Sequence, residues 1–313
     1  MQPDSKIFVA GHTGLVGSAI MRRLERGGFR NVVGRDVRTL DLTDAKATYA
    51  FFSEEKPEYV VLAAAKVGGI HANETFPADF IRINLQIQTN VIDASHRFGV
   101  EKLLFLGSSC IYPKLAPQPM KEEHLLAGPL DPTNDAYAIA KIAGILMTQA
   151  YNRQHGTNFI AAMPTNLYGP GDNFDLKTSH VHPAMIRKFH DAKVNGAPTV
   201  ELWGTGFPRR EFLYVDDLAD ALVFLLDHFD AGRGRENFVN VGVGEDVTIR
   251  ELAELVRDVV AYSGDIVWNS KMPDGTPRKL LDVSRLHDLG WKASTSLREG
   301  LQSTLAAFRE GSA

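Results

Sequence analysis

Ile7-Phe8-Val9-Ala10-Gly11-His12-Thr13-Gly14-Leu15-Val16-Gly17 is the stretch on which the reading of this chain turns. Four apolar residues make a short strand. Three glycines at the spacing G-x-x-G-x-x-G follow, and a helical pattern runs on through Leu24. Strand, glycine turn and helix in that order are what a pyrophosphate site requires. Glycine lets the backbone approach the phosphates, and the helix N-terminus offers N–H groups and the positive end of its dipole. Gly11, Gly14 and Gly17, with Thr13, Leu15 and Val16 between them, are therefore candidate contacts to a dinucleotide. The commoner fingerprint is G-x-G-x-x-G, so position in the chain counts for more here than the motif itself.

Outward from this stretch, strands and helices alternate. Val32-Val33-Gly34 reads as a second strand, with Arg35, Asp36 and Arg38 after it. At such a strand end an acid holds the adenosine 2′-hydroxyl and an arginine holds a 2′-phosphate. Asp36 lies about 20 residues past the glycines, as NAD requires, whereas Arg35 and Arg38 suit the phosphate of NADP. Asp44 reads as the N-cap of a helix ending before Pro57. Tyr59 to Ala65 is nearly all apolar, as buried parallel strands are. Lys66-Val67-Gly68-Gly69-Ile70 is a small-residue loop expected beside the nicotinamide, and Pro77 starts a long helix. Leu103 to Leu106 is another strand, ending in Gly107-Ser108-Ser109-Cys110-Ile111-Tyr112-Pro113. Ligands gather at the carboxyl ends of an open parallel sheet, so Ser108 and Cys110 should face the same site as the glycine turn. Asn158 to Ala162 counts as a sixth strand. The alternation predicts an α/β fold, a doubly wound parallel sheet of Rossmann type, over residues 1–165. Residues 166–313 are more irregular and read mainly as a smaller C-terminal substrate lobe, with some segments returning to the sheet.

Composition narrows the function classes. A net charge of −4 over 313 residues argues against nucleic-acid or membrane-surface partners. The single cysteine, Cys110, forms no internal disulfide and fits a reducing, cytoplasmic setting. The first residues show no signal-peptide pattern, and no apolar run nears the roughly 20 residues that span a bilayer. No metal site is expected.

A second stretch carries the chemistry: Tyr137-Ala138-Ile139-Ala140-Lys141. Asp131-Pro132-Thr133-Asn134-Asp135 before it reads as a turn and helix start, opened by Pro132 and Thr133. Tyr137 and Lys141 are four apart and share a helix face. The cation should favour the phenolate and lower the tyrosine pKa below about 10. Tyr137 is then a candidate acid toward a carbonyl oxygen, if something else brings a hydride; the same pair also suits a plain helix surface. Ile139, Ile142, Ile145, Leu146 and Ala150 spread widely around this helix. That fits a dimer seam or a well-buried core helix.

Together these motifs resemble the extended short-chain dehydrogenase/reductase family: Gly11-x-x-Gly14-x-x-Gly17, Ser108, Tyr137-x-x-x-Lys141 and Arg210-Glu211-Phe212-x-x-Val215-Asp216-Asp217. Longer runs resemble one branch of it, the epimerase–reductases of GDP-4-keto-6-deoxy-D-mannose. They are Ala63 to Ile70, Leu106 to Pro113, Pro164-Thr165-Asn166-Leu167-Tyr168-Gly169-Pro170, and Pro273 to Val283. The resemblance covers nearly the whole chain. It implies 3,5-epimerisation of that sugar nucleotide, then NADPH-dependent reduction at C4 to GDP-L-fucose, by a homodimer. Cys110 and His180 match the branch's proton-transfer pair. Ser108, Tyr137 and Lys141 match its reductase set. Ala64, Lys141, Pro164, His180 and Arg35 would join the glycine turn in holding NADP(H), with NAD(H) left open. Lys188, Trp203, Arg210 and Asp282 would bind the nucleotide end of the substrate. Trp203 also reads as possible lobe core, and Arg210 as the partner of a local acid. Two residues depart from the branch: Thr13 stands where arginine is frequent, and Lys188 where arginine is usual, giving a point charge instead of a fork. A paralogue acting on another GDP-4-keto sugar and a non-enzymatic nucleotide sensor are the alternatives; the complete Ser–Tyr–Lys set argues against the sensor.

Overall fold

A computed structural model describes residues 1–176, 178–232, 236–272 and 274–311. Pro273 of the C-terminal run lies outside them, as do the side chains of Ile70 and His71. The first half runs β1 (Ile7–Ala10), α1 (Leu15–Arg26), β2 (Val32–Val33), α2 (Ala45–Glu55), β3 (Tyr59–Leu62), α3 (Ile70–Thr75), α4 (Pro77–Arg97), β4 (Lys102–Leu106), α5 (Asp135–His155) and β5 (Phe159–Pro164). The second half runs β6 (Asn166–Tyr168), α6 (Val181–Val194), β7 (Thr199–Trp203), β8 (Arg209–Arg210), β9 (Phe212–Tyr214), α7 (Val215–His228), β10 (Phe238–Val241), β11 (Val247–Thr248), α8 (Ile249–Val260), β12 (Asp265–Asn269), β13 (Arg278–Lys279), α9 (Ser284–Asp288) and α10 (Leu297–Gly311).

Six parallel strands form the main sheet in the order β2-β1-β3-β4-β5-β10. The strand counted as sixth from sequence is the fifth in the chain. The sixth place is filled from far downstream by Phe238–Val241, paired with Ala161–Pro164. Strand alternation sorts the core into two layers. Ile7 and Val9 of β1 face Ala19, Ile20, Leu24 and Leu222, from α1 and α7. Phe8 and Ala10 face Phe52, Val91 and Ile145, from α2, α4 and α5. Each fully buried side chain of this size contributes about 1.5–3 kcal/mol. A third core under the C-terminal part joins Met185, Phe189, Leu252, Val256 and Leu301.

Local chemistry sets the element ends. Asp44 caps α2 by accepting from Ala47 N at 3.1 Å. α5 begins at Asp135, later than Pro132 and Thr133, because the Asp131 carboxylate accepts from Thr133 N and Oγ1 (3.2 and 3.0 Å) and holds that segment as a turn. The acidic residues of the Arg210–Asp217 stretch fasten this frame. Buried Glu211 accepts from Val243 N, Gly244 N and Leu281 N at 2.6, 2.7 and 3.0 Å. Asp216 pairs with Arg22 of α1 at 2.5 Å, and Asp217 accepts from Ser294 Oγ and Thr295 N at 3.1 and 2.9 Å. Among the described residues no helix is long and apolar enough to cross a membrane.

Candidate active site

The sheet order reverses direction at β1, whose neighbours are β2 on one side and β3 on the other. The crevice at such a switch point is where open α/β sheets bind ligands. Gly11 stands there with φ +85°, and a Cβ on it would meet Ala64 N and Cα at 2.8 Å. Gly17 is the closest approach: its Cβ would lie 2.0 Å from Gly11 O and 2.6 Å from Gly11 C. Gly14 occupies the N-cap of α1, and only Gly11 O, at 3.5 Å, would meet a side chain beginning there. Two glycines thus close the turn and one leaves it open, which fits a pyrophosphate against the N–H groups of α1. Leu15 and Val16 pack partly into the core, and Thr13 is exposed. We expect Gly17→Ala to lower stability by at least about 2–3 kcal/mol, the upper range for core overpacking, because its clashes are all with backbone. Chemical denaturation with and without dinucleotide checks this.

At the carboxyl end of β4 the chain makes a short 3-10 turn, Ser109–Ile111, capped by Ser108 Oγ accepting from Cys110 N at 3.3 Å. Tyr137, from the first turn of α5, stands close to Ser108 and within electrostatic reach of Cys110. Its ring meets Phe80 edge-on, centroids 6.3 Å apart. Lys141 lies one turn on, its Nζ donating to Leu106 O at 2.7 Å and 5.8 Å from the Tyr137 ring centre. Four sequence candidates, Ser108, Cys110, Tyr137 and Lys141, therefore share one edge of the sheet.

The expected lowering of the Tyr137 pKa is corrected by the structure. Desolvation raises it, the neighbouring Cys110 adds to that, and the nearby Ser108 hydroxyl opposes without prevailing. Lys141 does not rescue it, because burial pulls that ammonium itself down to about 7. A low-dielectric site penalises both charges before either can help the other. The phenol therefore stays protonated at neutral pH, the form a proton donor needs.

His180 is the N-cap residue of α6, without a side-chain capping bond. The residues just before it approach the β3–α3 loop: a Cβ on Gly69 would lie 3.6 Å from Thr178 O and 3.7 Å from Ser179 O. Partial desolvation holds its imidazole below the usual histidine value. Pro164 is buried at the end of β5 beside Val241.

The other candidates divide. Trp203 is 62% exposed, so it is not lobe core, and Lys188 Nζ stands 5.8 Å over its ring while donating to Glu201 O at 3.1 Å. Successive residues on β8 point to opposite sides. Arg209 pairs with Asp246 at 2.7 Å, while the half-buried Arg210 lies against Gly275 and feels Asp274. Asp282 does not join this group. Its carboxylate accepts from Ser284 N at 2.9 Å and lines a separate cleft with Lys121, Glu122 and Arg285. The acid near the Trp203–Arg210 group is Asp274, which accepts from Thr205 N and Oγ1 at 2.9 and 2.6 Å. It was missed among neighbouring acids of one polar run, and only the turn back onto Gly204 distinguishes it. Arg35 is engaged with Glu55 at 2.5 Å.

A model of the NAD dependent epimerase/dehydratase family matches residues 7–242. The chain belongs to that epimerase/dehydratase family. Among its members, a protein described as probable GDP-L-fucose synthase 1 of Oryza sativa subsp. japonica is 64% identical over 306 residues, covering 97% of this chain and 92% of the relative. The GDP-L-fucose synthase of Escherichia coli (strain K12) is 53% identical over 310 residues, 97% of each. A solved family structure, the GDP-mannoheptose C4 reductase MlghC from Campylobacter jejuni with NADP bound, is 39% identical with a TM-score of 0.91 over 99% of both chains.

Proposed function

We propose that this chain is an epimerase–reductase that inverts C3 and C5 of GDP-4-keto-6-deoxy-D-mannose and reduces C4 with NADPH, giving GDP-L-fucose. The observation that carries this reading is the juxtaposition of Tyr137 with Ser108 and Cys110, which stand together on one turn, in a chain so similar to proteins described as GDP-L-fucose synthases.

The chemistry follows from two kinds of group. Protons on C3 and C5 are acidic because both carbons adjoin the C4 carbonyl. Inversion needs one group to remove a proton and another to return one from the opposite face. Cys110 and His180 supply that pair, and an imidazole held below its ordinary pKa is neutral at pH 7 and free to accept. As charge gathers on the C4 oxygen, Ser108 and Tyr137 hydrogen bond to it, which is electrostatic stabilisation aimed at the transition state. When bound, NADPH supplies the hydride to C4. Tyr137 delivers its proton to the same oxygen, and buried Lys141 orients the ribose side of the site. One oxyanion position serving both steps accounts for their sharing a pocket. Lys188, Trp203 and Arg210 hold the GDP end.

Incubation with substrate in deuterated water without reduced cofactor should label C3 and C5. Addition of NADPH should then yield GDP-L-fucose; a different product points to a paralogue. Cys110→Ala is expected to abolish labelling while permitting slow reduction of the unepimerised ketone, followed by NMR of the product. An unchanged product spectrum would remove Cys110 from the mechanism. The protein acts as a cytoplasmic homodimer. Ile139 and Leu146, 43% and 40% exposed two turns apart on α5, support a seam there, and sedimentation at twice the chain mass is expected.

A further inference from the structure

The turn that carries Ser108 and Cys110 is tied to the far edge of the sheet by Tyr112. Gly107 leaves β4 packed on Met163 of β5, so closely that a Cβ there would overlap the Met163 sulfur. The 3-10 turn that follows is closed by long bonds. Cys110 N donates to Ser108 Oγ at 3.3 Å, Ile111 N to Ser108 O at 3.2 Å and Tyr112 N to Ser109 O at 3.4 Å. Ordinary N–H···O bonds lie at about 2.9–3.0 Å, so these bonds alone fix the turn weakly. Tyr112 ends it. That side chain is 3% exposed, and its hydroxyl donates to Asn240 Oδ1 at 2.5 Å. Asn240 belongs to β10, which lies on the other side of β5 from β4. The bond therefore spans the carboxyl end of β5.

Asn240 cannot turn away. It is fully buried, its Nδ2 donates to Met120 O and Asp282 O, both at 3.0 Å, and its N donates to Glu122 Oε1 at 3.0 Å. Those two carbonyl segments are themselves joined, Met120 N to Leu280 O and Asp282 N to Met120 O, each at 2.8 Å. Rotating the amide by half a turn would set Oδ1 against two carbonyl oxygens and leave buried groups unpaired. Oδ1 is thus held toward Tyr112 as an acceptor. Burial raises the Tyr112 pKa and keeps its hydroxyl a donor.

We infer that Tyr112 is a positioning residue for epimerisation, holding Cys110 where proton transfer to and from the sugar requires it. Cys110 stands two residues before it on the turn. Tyr137 and Lys141 are placed independently, on α5, and Lys141 Nζ is fixed on Leu106 O, ahead of the turn. The inference rests on the epimerase–reductase reading above.

The test is Tyr112→Phe in the full chain. Deuterium incorporation at C3 and C5 is followed by NMR without reduced cofactor, and the sugar product formed with NADPH is identified separately. We expect exchange to fall at least about tenfold, since displacing a reacting group by about 1 Å costs up to about a hundredfold. The C4-reduced product should shift from GDP-L-fucose toward the alcohol in which C3 and C5 are not inverted. A purely structural role would slow both halves together and leave the product composition as it was. Asn240→Ser takes the acceptor out of reach and carries the same expectation, so either folded variant decides. Exchange that falls less than about tenfold, or a product composition that does not shift, overturns the inference alone. An unmodified chain that exchanges neither proton overturns the epimerase–reductase reading, and the inference with it.

Discussion

Tyr137→Phe is expected to slow ketone reduction by about 10²- to 10⁴-fold, the range a positioned proton donor contributes, while dinucleotide affinity stays nearly unchanged. The substitution keeps the ring and its edge-on packing against Phe80. It removes only the hydroxyl that stands beside Ser108. In the proposed role that hydroxyl acts as charge develops on the C4 oxygen, so kcat and kcat/KM should fall together with little change in KM. Proton exchange at C3 and C5 should slow much less, since Ser108 still donates to the same oxygen. Stopped-flow reduction and exchange measured by NMR on one preparation separate the two effects. A variant that keeps more than about a tenth of the reductase rate would show that another group supplies the proton.

His182→Phe is expected to stabilise the protein and to make it less sensitive to acid. His182 is 1% exposed in the first turn of α6, stacked on Tyr168 with centroids 4.2 Å apart and tilted against Phe212 at 4.7 Å. Neither ring nitrogen has a protein partner. A buried polar atom without a partner costs about 1–3 kcal/mol, and phenylalanine fills a similar slot without one. Burial pulls the His182 pKa from 6.5 down to about 3. The unfolded chain therefore binds this proton near pH 6.5 and the folded chain only near pH 3. Between those values the unfolded state holds more protons, so stability is complete above pH 6.5 and declines as pH falls toward 3. At 1.36 kcal/mol per pH unit the decline amounts to about 2 kcal/mol by pH 5. Urea unfolding at pH 7.5 and pH 5 should show that difference shrinking in the variant. An equal pH slope in both proteins would mean that His182 finds a partner, most simply a water, in solution.

Much of the candidate site was legible because it lies on short, local patterns. The Gly11–Gly17 spacing placed a turn between strand and helix, and the four-residue step from Tyr137 to Lys141 required a shared face. Asp44 announced its helix. Other features depended on distant chain. Asp282 and Asp274 are eight residues apart in one polar run, yet only Asp274 folds back onto Thr205, toward Arg210. The Glu211 carboxylate looked like part of a recognition motif. It instead gathers the N–H groups of Val243, Gly244 and Leu281, a role defined by residues up to seventy positions away.

The sequence by itself determined the parallel α/β class and the glycine turn at its head, because hydrophobic periodicity and residue spacing act over a few residues and survive any packing. Tertiary structure alone decided which strand completes the sheet and which acid meets Arg210. It also reversed the expected shift at Tyr137. Sequence proximity supplied a cation near the phenol, but the depth to which both groups are buried is a property of the assembled layers, and desolvation at that depth raises the phenol and lowers the ammonium.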